Sequence, residues 1–360
     1  MKKKLFLIIM LISIAVSAFV CIFTTLVYHD FYVNDAKNQL KTIVKLSSDS
    51  ENWSNENITK QTVSKILNSS EYNIRFTIVD KSGTVIYDNW AKNELLENHK
   101  NKVYDLGNIY VNNTKDKQPF AAGVNAKYIN EIIEVTENLA NSVYSSLCGG
   151  GFPITLGGDH ALAMGSVAGS SKYFQGDLAV IWIDAHGDIN TFETSPTGNV
   201  HGMPLAASMG FGDESLTNLY FNGIKVKKEN VFIIGARDLD EGELQLIKDK
   251  NLTVWTMDKV REIGVDKVCK ELLEGLKARG INNIHISFDI DSVDPELIKG
   301  TGTPVPNGFN INDAEKLLTS IFNTRLVKSM DFVEFNPCLD DTDTTLKSCM
   351  ALIKKIGELI

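Results

Sequence analysis

Apolar and polar positions divide the chain into three stretches. From Leu5 to Tyr28 almost every residue is apolar, directly after Lys2-Lys3-Lys4. A run of that length suits a bilayer span of roughly 20 residues. It continues past the small pair Ser17-Ala18, beyond where the apolar region of a cleaved signal peptide, typically about 7–15 residues, would end. Residues 1–28 therefore predict an uncleaved single-pass membrane anchor. The lysine flank would stay cytoplasmic and place the remainder outside the cytoplasm.

Residues 29–101 are polar and rich in Asn, Ser and Lys. They predict a helix over Val33–Leu46 and a hairpin over Ile74–Tyr87, in which Asp80-Lys-Ser-Gly83 is the turn between two β-rich runs. Basic flank, span and this small α+β segment together resemble the start of a membrane sensor histidine kinase. No phosphoacceptor helix or kinase nucleotide motif follows, so no signalling output is inferred. Residues 102–360 alternate between two periods. Short β-branched runs fall at Phe152–Leu156, Leu178–Ile183, Val231–Gly235, Leu252–Thr256, Ile284–Phe288 and Val327–Val333. Amphipathic helical patterns lie between or after them, among them Asn125–Leu147, Val265–Arg279, Asn312–Phe322 and Thr345–Leu359. Such alternation predicts an α/β fold with a mostly parallel sheet covered on both faces, its ligands bound beyond the carboxyl ends of the strands.

Composition narrows the chemistry. At 360 residues there is room for one large domain and a smaller module, and a net charge of −9 argues against nucleic acid as a partner. The five cysteines are scattered and never form a C-x-x-C pair, so neither a zinc ribbon nor a disulfide framework is expected.

What stands at the strand ends is more specific. From Gly157-Gly-Asp-His160, Asp184-Ala-His186-Gly-Asp188 and Asp289-Ile-Asp291, His160, His186 and the four well-placed carboxylates Asp184, Asp188, Asp289 and Asp291 are available, with no thiolate. Alternate side chains of an extended segment point the same way, so Asp184, His186 and Asp188 are expected to converge. Like charges gathered this way need cations. Imidazole with carboxylate suits Mn²⁺, Fe²⁺, Co²⁺ or Zn²⁺. Two such ions balance the four carboxylates and can share one water, lowering its pKa toward neutrality.

These motifs, with Ser287-Phe-Asp-Ile-Asp291 and Glu334-Phe-Asn-Pro337, resemble the ureohydrolase family. Asn190-Thr-Phe-Glu-Thr-Ser-Pro-Thr-Gly-Asn199-Val-His201-Gly is similar to the arginases within it, over about residues 102–360. The resemblance implies a three-layer αβα fold, two manganese ions per subunit, and hydrolysis of L-arginine to L-ornithine and urea. One ion would take His160, Asp184, Asp188 and Asp291; the other Asp184, His186, Asp289 and Asp291. Asp188 would also hydrogen-bond the nucleophile. His201 would be the proton shuttle and Glu334 the acid that pairs with the guanidinium. Asn190, Thr197 and Asn199 would hold the α-carboxylate. Asp240, with Asp238 and Glu243 nearby, would hold the α-amino group, and Thr303 would line the pocket. The structural alternative for Asp238 is a pair with Arg237. Homo-oligomers, trimers or hexamers, are implied as well. The alternatives are an agmatinase-like ureohydrolase and an inactive membrane-anchored fusion.

One element of the family is missing. Arginases begin with a strand, a glycine-rich loop and a helix, whereas the recognisable match starts near Val103-Tyr-Asp-Leu-Gly107. An absent strand should leave neighbouring sheet edges and apolar surface exposed. Ile74–Val79 is the segment that could occupy its place.

Overall fold

The computed structural model describes the backbone of residues 77–79 and 85–88, and residues 103–360 apart from 112, 113, 115, 116, 122, 341 and 342. The expected anchor and the helix over Val33–Leu46 lie outside the described residues. Among those described, no helix is long and apolar enough to cross a membrane.

The chain divides at Gly107 into two units. In the first, β1 (Thr77–Val79) and β2 (Val85–Asp88) pair antiparallel, as the hairpin pattern predicts. Among the described residues they form a two-stranded sheet of their own.

The second unit begins its regular structure with α1 (Ile129–Cys148), followed by β3 (Ile154–Leu156), α2 (Ala163–Tyr173) and β4 (Ala179–Ile183). Two short helices, α3 (Pro204–Ser208) and α4 (Glu214–Thr217), precede β5 (Val231–Ile234). Next come α5 (Glu241–Lys250), β6 (Thr253–Trp255), α6 (Met257–Ile263), α7 (Val265–Ala278) and β7 (Ile284–Asp289). The chain closes with α8 (Ile311–Phe322), β8 (Val327–Val333) and α9 (Thr344–Leu359).

All six strands of this unit run parallel, in the order β3-β8-β7-β4-β5-β6. Alternation along β4 shows the three layers. Ala179, Ile181 and Ile183 pack with Leu272 of α7, Leu317 of α8 and Leu352 of α9. Val180 and Trp182 face the other way, toward Val167 of α2 and Leu205 of α3. On that side α1 and α2 approach closely: a Cβ on Gly165 would stand 2.3 Å from the Thr136 carbonyl oxygen, so only glycine fits there.

The order of strands positions the site. From β4 the chain steps outward to β5 and β6, then returns on the other side of β4 through β7 and β8. The crevice at such a reversal, between β4 and β7, is where open α/β sheets bind their ligands. At the far edge β3 pairs only with β8 among the described residues. Ile154 and Leu156 are 42% and 65% exposed there.

Candidate metal centre and active site

Three strand ends deliver the metal-ligand candidates. His160 opens a single 3-10 turn after β3, with Asp159 as its cap: the Asp159 carboxylate accepts the Ala161 N–H at 2.9 Å. Asp184, His186 and Asp188 follow β4, and Asp289 ends β7 with Asp291 in the next turn. The β4 trio does not converge by extended alternation. The strand stops at Ile183, the chain bends, and Asp188 takes a left-handed backbone with φ 53°. Glu334, just past β8, is left-handed too, with φ 67°. Such strain in non-glycine residues persists where surrounding structure enforces it, often at functional sites.

The result is one buried cluster. Nδ1 of His160 lies 3.0 Å from Asp184 Oδ2, 3.0 Å from Asp188 Oδ2 and 3.1 Å from Asp289 Oδ2. Nδ1 of His186 lies 3.4 Å from Asp184 Oδ1 and 3.1 Å from Asp291 Oδ2. Asp184 therefore joins two subsites, as expected. Asp289, expected beside His186, stands with His160, and Asp291, expected in both subsites, stands with His186. The backbone explains this, because Asp289 is still the last residue of β7 while Asp291 has turned away into the 3-10 segment.

Electrostatics show how tightly these charges are held. All four carboxylates are buried. Burial, then the charge of Asp184, pushes Asp188 up to about 7. Burial and its neighbours Asp291 and Asp184 raise Asp289 well above the carboxylate range. Burial opposes a charge on His186, yet its bonds to Asp184 and Asp291 carry it up to about 12. His160 Nδ1 is buried without a hydrogen-bond partner while three carboxylate oxygens crowd it. A buried set of this kind is stable only around cations. Nitrogen and oxygen donors without thiolate fit manganese or a similar divalent ion.

A second cluster adjoins the first. Asp159, His201 and Glu334 each offer an atom within 4.8 Å of the others. His201 Nδ1 is 3.1 Å from Asp159 Oδ2, and that bond raises its pKa. Glu334 accepts the His160 N–H at 2.6 Å, and burial followed by the charge of Asp159 raises its carboxyl. The two expected catalytic groups thus stand together beside the metal ligands.

A third group forms around Asn190. Its Nδ2 donates to Asp240 Oδ2 at 2.8 Å, and its Oδ1 accepts from Thr194 at 2.9 Å. Glu243 is spoken for: one oxygen accepts the Asp240 N–H at 2.9 Å and the other the Ile189 N–H at 3.1 Å. It is buried, and burial pushes it up to about 7. Glu243 therefore braces Asp240 and the loop after β4. Thr197 and Asn199 bond elsewhere: Thr197 Oγ1 accepts the Asn199 N–H at 3.1 Å, and Asn199 Oδ1 accepts from Lys127 at 2.7 Å. Thr303 donates to the ligand Asp291 at 3.2 Å. Asp238 is not paired with Arg237. Its Oδ2 lies 3.9 Å from His186 Nε2, while Arg237 donates to the carbonyls of Asp291 and Val305, both at 2.7 Å.

Four contributors carry no motif signal of their own. Trp182 stacks on His160, centroids 4.0 Å apart, and donates to Asp184 Oδ2 at 3.0 Å. Ser287 Oγ lies 2.8 Å from His160 Nε2. Arg237 holds the loop after β7, and Asp159 holds His201. Trp182, Ser287 and Asp159 sit within or beside the ligand motifs, the one sequence clue available.

Comparison with known proteins agrees with this geometry. Residues 80–357 match the profile described as Arginase family, a match that begins ahead of Val103. The arginase of Bacillus subtilis strain 168 is 42% identical over 254 residues, covering 71% of this chain and 83% of the relative. The arginase of Bacillus caldovelox is 39% identical over 260 residues, covering 72% and 86%. A crystal structure of the Bacillus subtilis arginase superposes with a TM-score of 0.66 at 41% identity, over 73% of this chain and 86% of that one. The native Bacillus caldovelox arginase gives 0.69 at 38%, over 73% and 87%. Fold, strand-end ligands and relatives converge: the chain belongs to the arginase family.

Proposed function

We propose that the chain hydrolyses L-arginine to L-ornithine and urea, using two manganese ions per subunit. The observation that carries this is the pair of imidazole Nδ1 atoms aimed into four buried carboxylates, joined through Asp184. His160, Asp184, Asp188 and Asp289 would hold one ion, and Asp184, His186 and Asp291 the other. When bound, the ions supply a water acidic enough to act as nucleophile near neutral pH.

The chain's own residues do the rest. Glu334 has one oxygen on the His160 N–H and offers the other to the planar guanidinium, a match favoured by charge-assisted hydrogen bonding. Asp188 accepts a hydrogen bond from the attacking water. His201, held through Nδ1 by Asp159, has Nε2 free to protonate the departing ornithine amine. Asn190 and Asp240 are bonded to each other, so a carboxylate reader and an amine reader sit side by side, as one α-carbon requires. Thr197 and Asn199 extend the carboxylate side, and Asp238 lies on the amine side. The reading keeps residues 1–28 as a membrane anchor on the strength of their apolar run and lysine flank, residues 29–101 as a sensor-like segment, and residues 102–360 as the catalytic domain. A trimer or hexamer follows from the family resemblance.

The test is turnover of arginine against agmatine, which lacks the α-carboxylate. Preference for arginine supports the assignment of the Asn190–Asn199 loop; preference for agmatine makes the chain an agmatinase-like ureohydrolase.

A further inference from the structure

Behind His160, away from the substrate side, lies a buried polar network that the proposed reaction does not use. It is built from β7 (His285, Ser287), β8 (Ser329, Asp331) and α2 (Ser166, Ser170). All six residues are at most 1% exposed. In the parallel register His285 pairs with Ser329, and Ser287 with Asp331. Asp331 Oδ2 collects three contacts: Ser166 Oγ at 2.5 Å, His285 Nε2 at 2.9 Å and Ser287 Oγ at 3.5 Å. His285 Nδ1 lies 2.8 Å from Ser329 Oγ, which is 2.8 Å from Ser170 Oγ. Ser329, His285 and Asp331 have the composition of a hydrolytic triad, but no substrate reaches a sealed core.

One arrangement of protons satisfies the contacts that meet at Asp331 and Ser287. An ionised carboxylate only accepts, whereas a hydroxyl donates one proton and accepts others. If the Ser287 proton goes to Asp331, its oxygen is left to accept, and the donor that reaches it is His160 Nε2–H at 2.8 Å. His160 then carries its ring proton on Nε2 and turns the Nδ1 lone pair toward Asp184, Asp188 and Asp289. Partners of this type fix the tautomer and raise the basicity of a metal-binding imidazole. Asp331 Oδ1 has no partner at all. A buried carboxylate with an unsatisfied oxygen is destabilising, and a core chosen for stability alone would not place one there.

We infer that Asp331 is a positioning residue for the metal centre: acting through Ser287, it sets the tautomer of His160 and so the affinity of the metal subsite His160 completes. This rests on the proposed two-metal reading.

The experiment is a calorimetric Mn²⁺ titration of the metal-free full chain, with no turnover measured. The wild type should bind two ions, and His160→Asn identifies the phase belonging to His160. Asp331→Asn should weaken that phase by about 10- to 100-fold, the usual effect of outer-shell partners, and leave the other phase within about threefold. Ser287→Ala should weaken it as much, and the double variant no further, because the two residues act in series. His285→Asn removes a neighbour of Asp331 outside the relay, so the His160 phase should stay within about threefold even if melting falls. The inference is overturned if Ser287→Ala leaves the phase unchanged, if the Ser287 and Asp331 effects add, if Asp331→Asn lowers both phases equally, or if His285→Asn matches Ser287→Ala. Should Asp331→Asn fail to fold, the Ser287 and His285 variants still decide between relay and packing. A wild type that binds no pair of ions overturns the proposed function itself, a separate result.

Discussion

The carboxylate of Glu334 accepts the backbone N–H of His160 at 2.6 Å. This bond ties the end of β8 to the end of β3 and fixes the proposed guanidinium-binding acid against a proposed metal ligand. Glu334→Gln can keep that bond through its amide oxygen but loses the charge that faces a guanidinium. We expect kcat/KM to fall about 30-fold or more, on the order of 2 kcal/mol, with metal content unchanged. Steady-state kinetics and elemental analysis of the same preparation check both parts.

Asp289 stands 3.1 Å from His160 Nδ1 among three other buried carboxylates. Asp289→Asn removes an anionic donor from that set. Loss of outer partners alone costs about 10- to 100-fold in metal affinity, so this change should exceed that range. A variant that retains two ions by elemental analysis would remove Asp289 from the ligand set.

His201 is held by Asp159 through Nδ1. His201→Ala should lower turnover by about 100- to 10,000-fold, the usual contribution of a positioned acid or base. Its manganese stoichiometry should match the wild type. Loss of metal together with activity would assign His201 to the cluster's structure instead.

Lys225 belongs to none of the clusters of the candidate site. Its ammonium is buried and donates to the carbonyls of Thr217 at 2.8 Å and Gly223 at 2.7 Å. Burial pushes Lys225 from the ordinary 10.5 down to about 8. Between those values the unfolded chain binds a proton that the folded chain has released, so this group makes stability rise with pH across that window. Denaturant midpoints measured near both ends should show the rise in the wild type and a flatter dependence in Lys225→Met.

Much of this was legible in the sequence because period and position are local properties. Each apolar run holds an observed strand, β7 running one residue past its run to Asp289, and β8 occupies Val327–Val333 as expected. Helices α7, α8 and α9 end within a residue of their patterns. The start of α1 was not legible. Helical periodicity begins at Asn125, but Asn125 Nδ2 is drawn to the Phe192 and Ser195 carbonyls, and Tyr128 turns left-handed before the helix opens at Ile129. In the site, residue types revealed the ligands, while their partition depended on where β7 stops. The brace that Glu243 forms, one oxygen on the Asp240 N–H of the helix cap and the other on the Ile189 N–H, was not legible because the second bond is tertiary. The network behind His160 carries no sequence signal, since serines on strands and helices are ordinary until packing brings them together.

The proposed reaction requires that this chain bind two ions and use them on arginine. Urea release by the purified full-length chain, with manganese counted on the same sample, tests it most directly. The account predicts two ions per subunit and urea formed in step with ornithine, with arginine preferred to agmatine. A chain that holds two ions and releases no urea from arginine would contradict it.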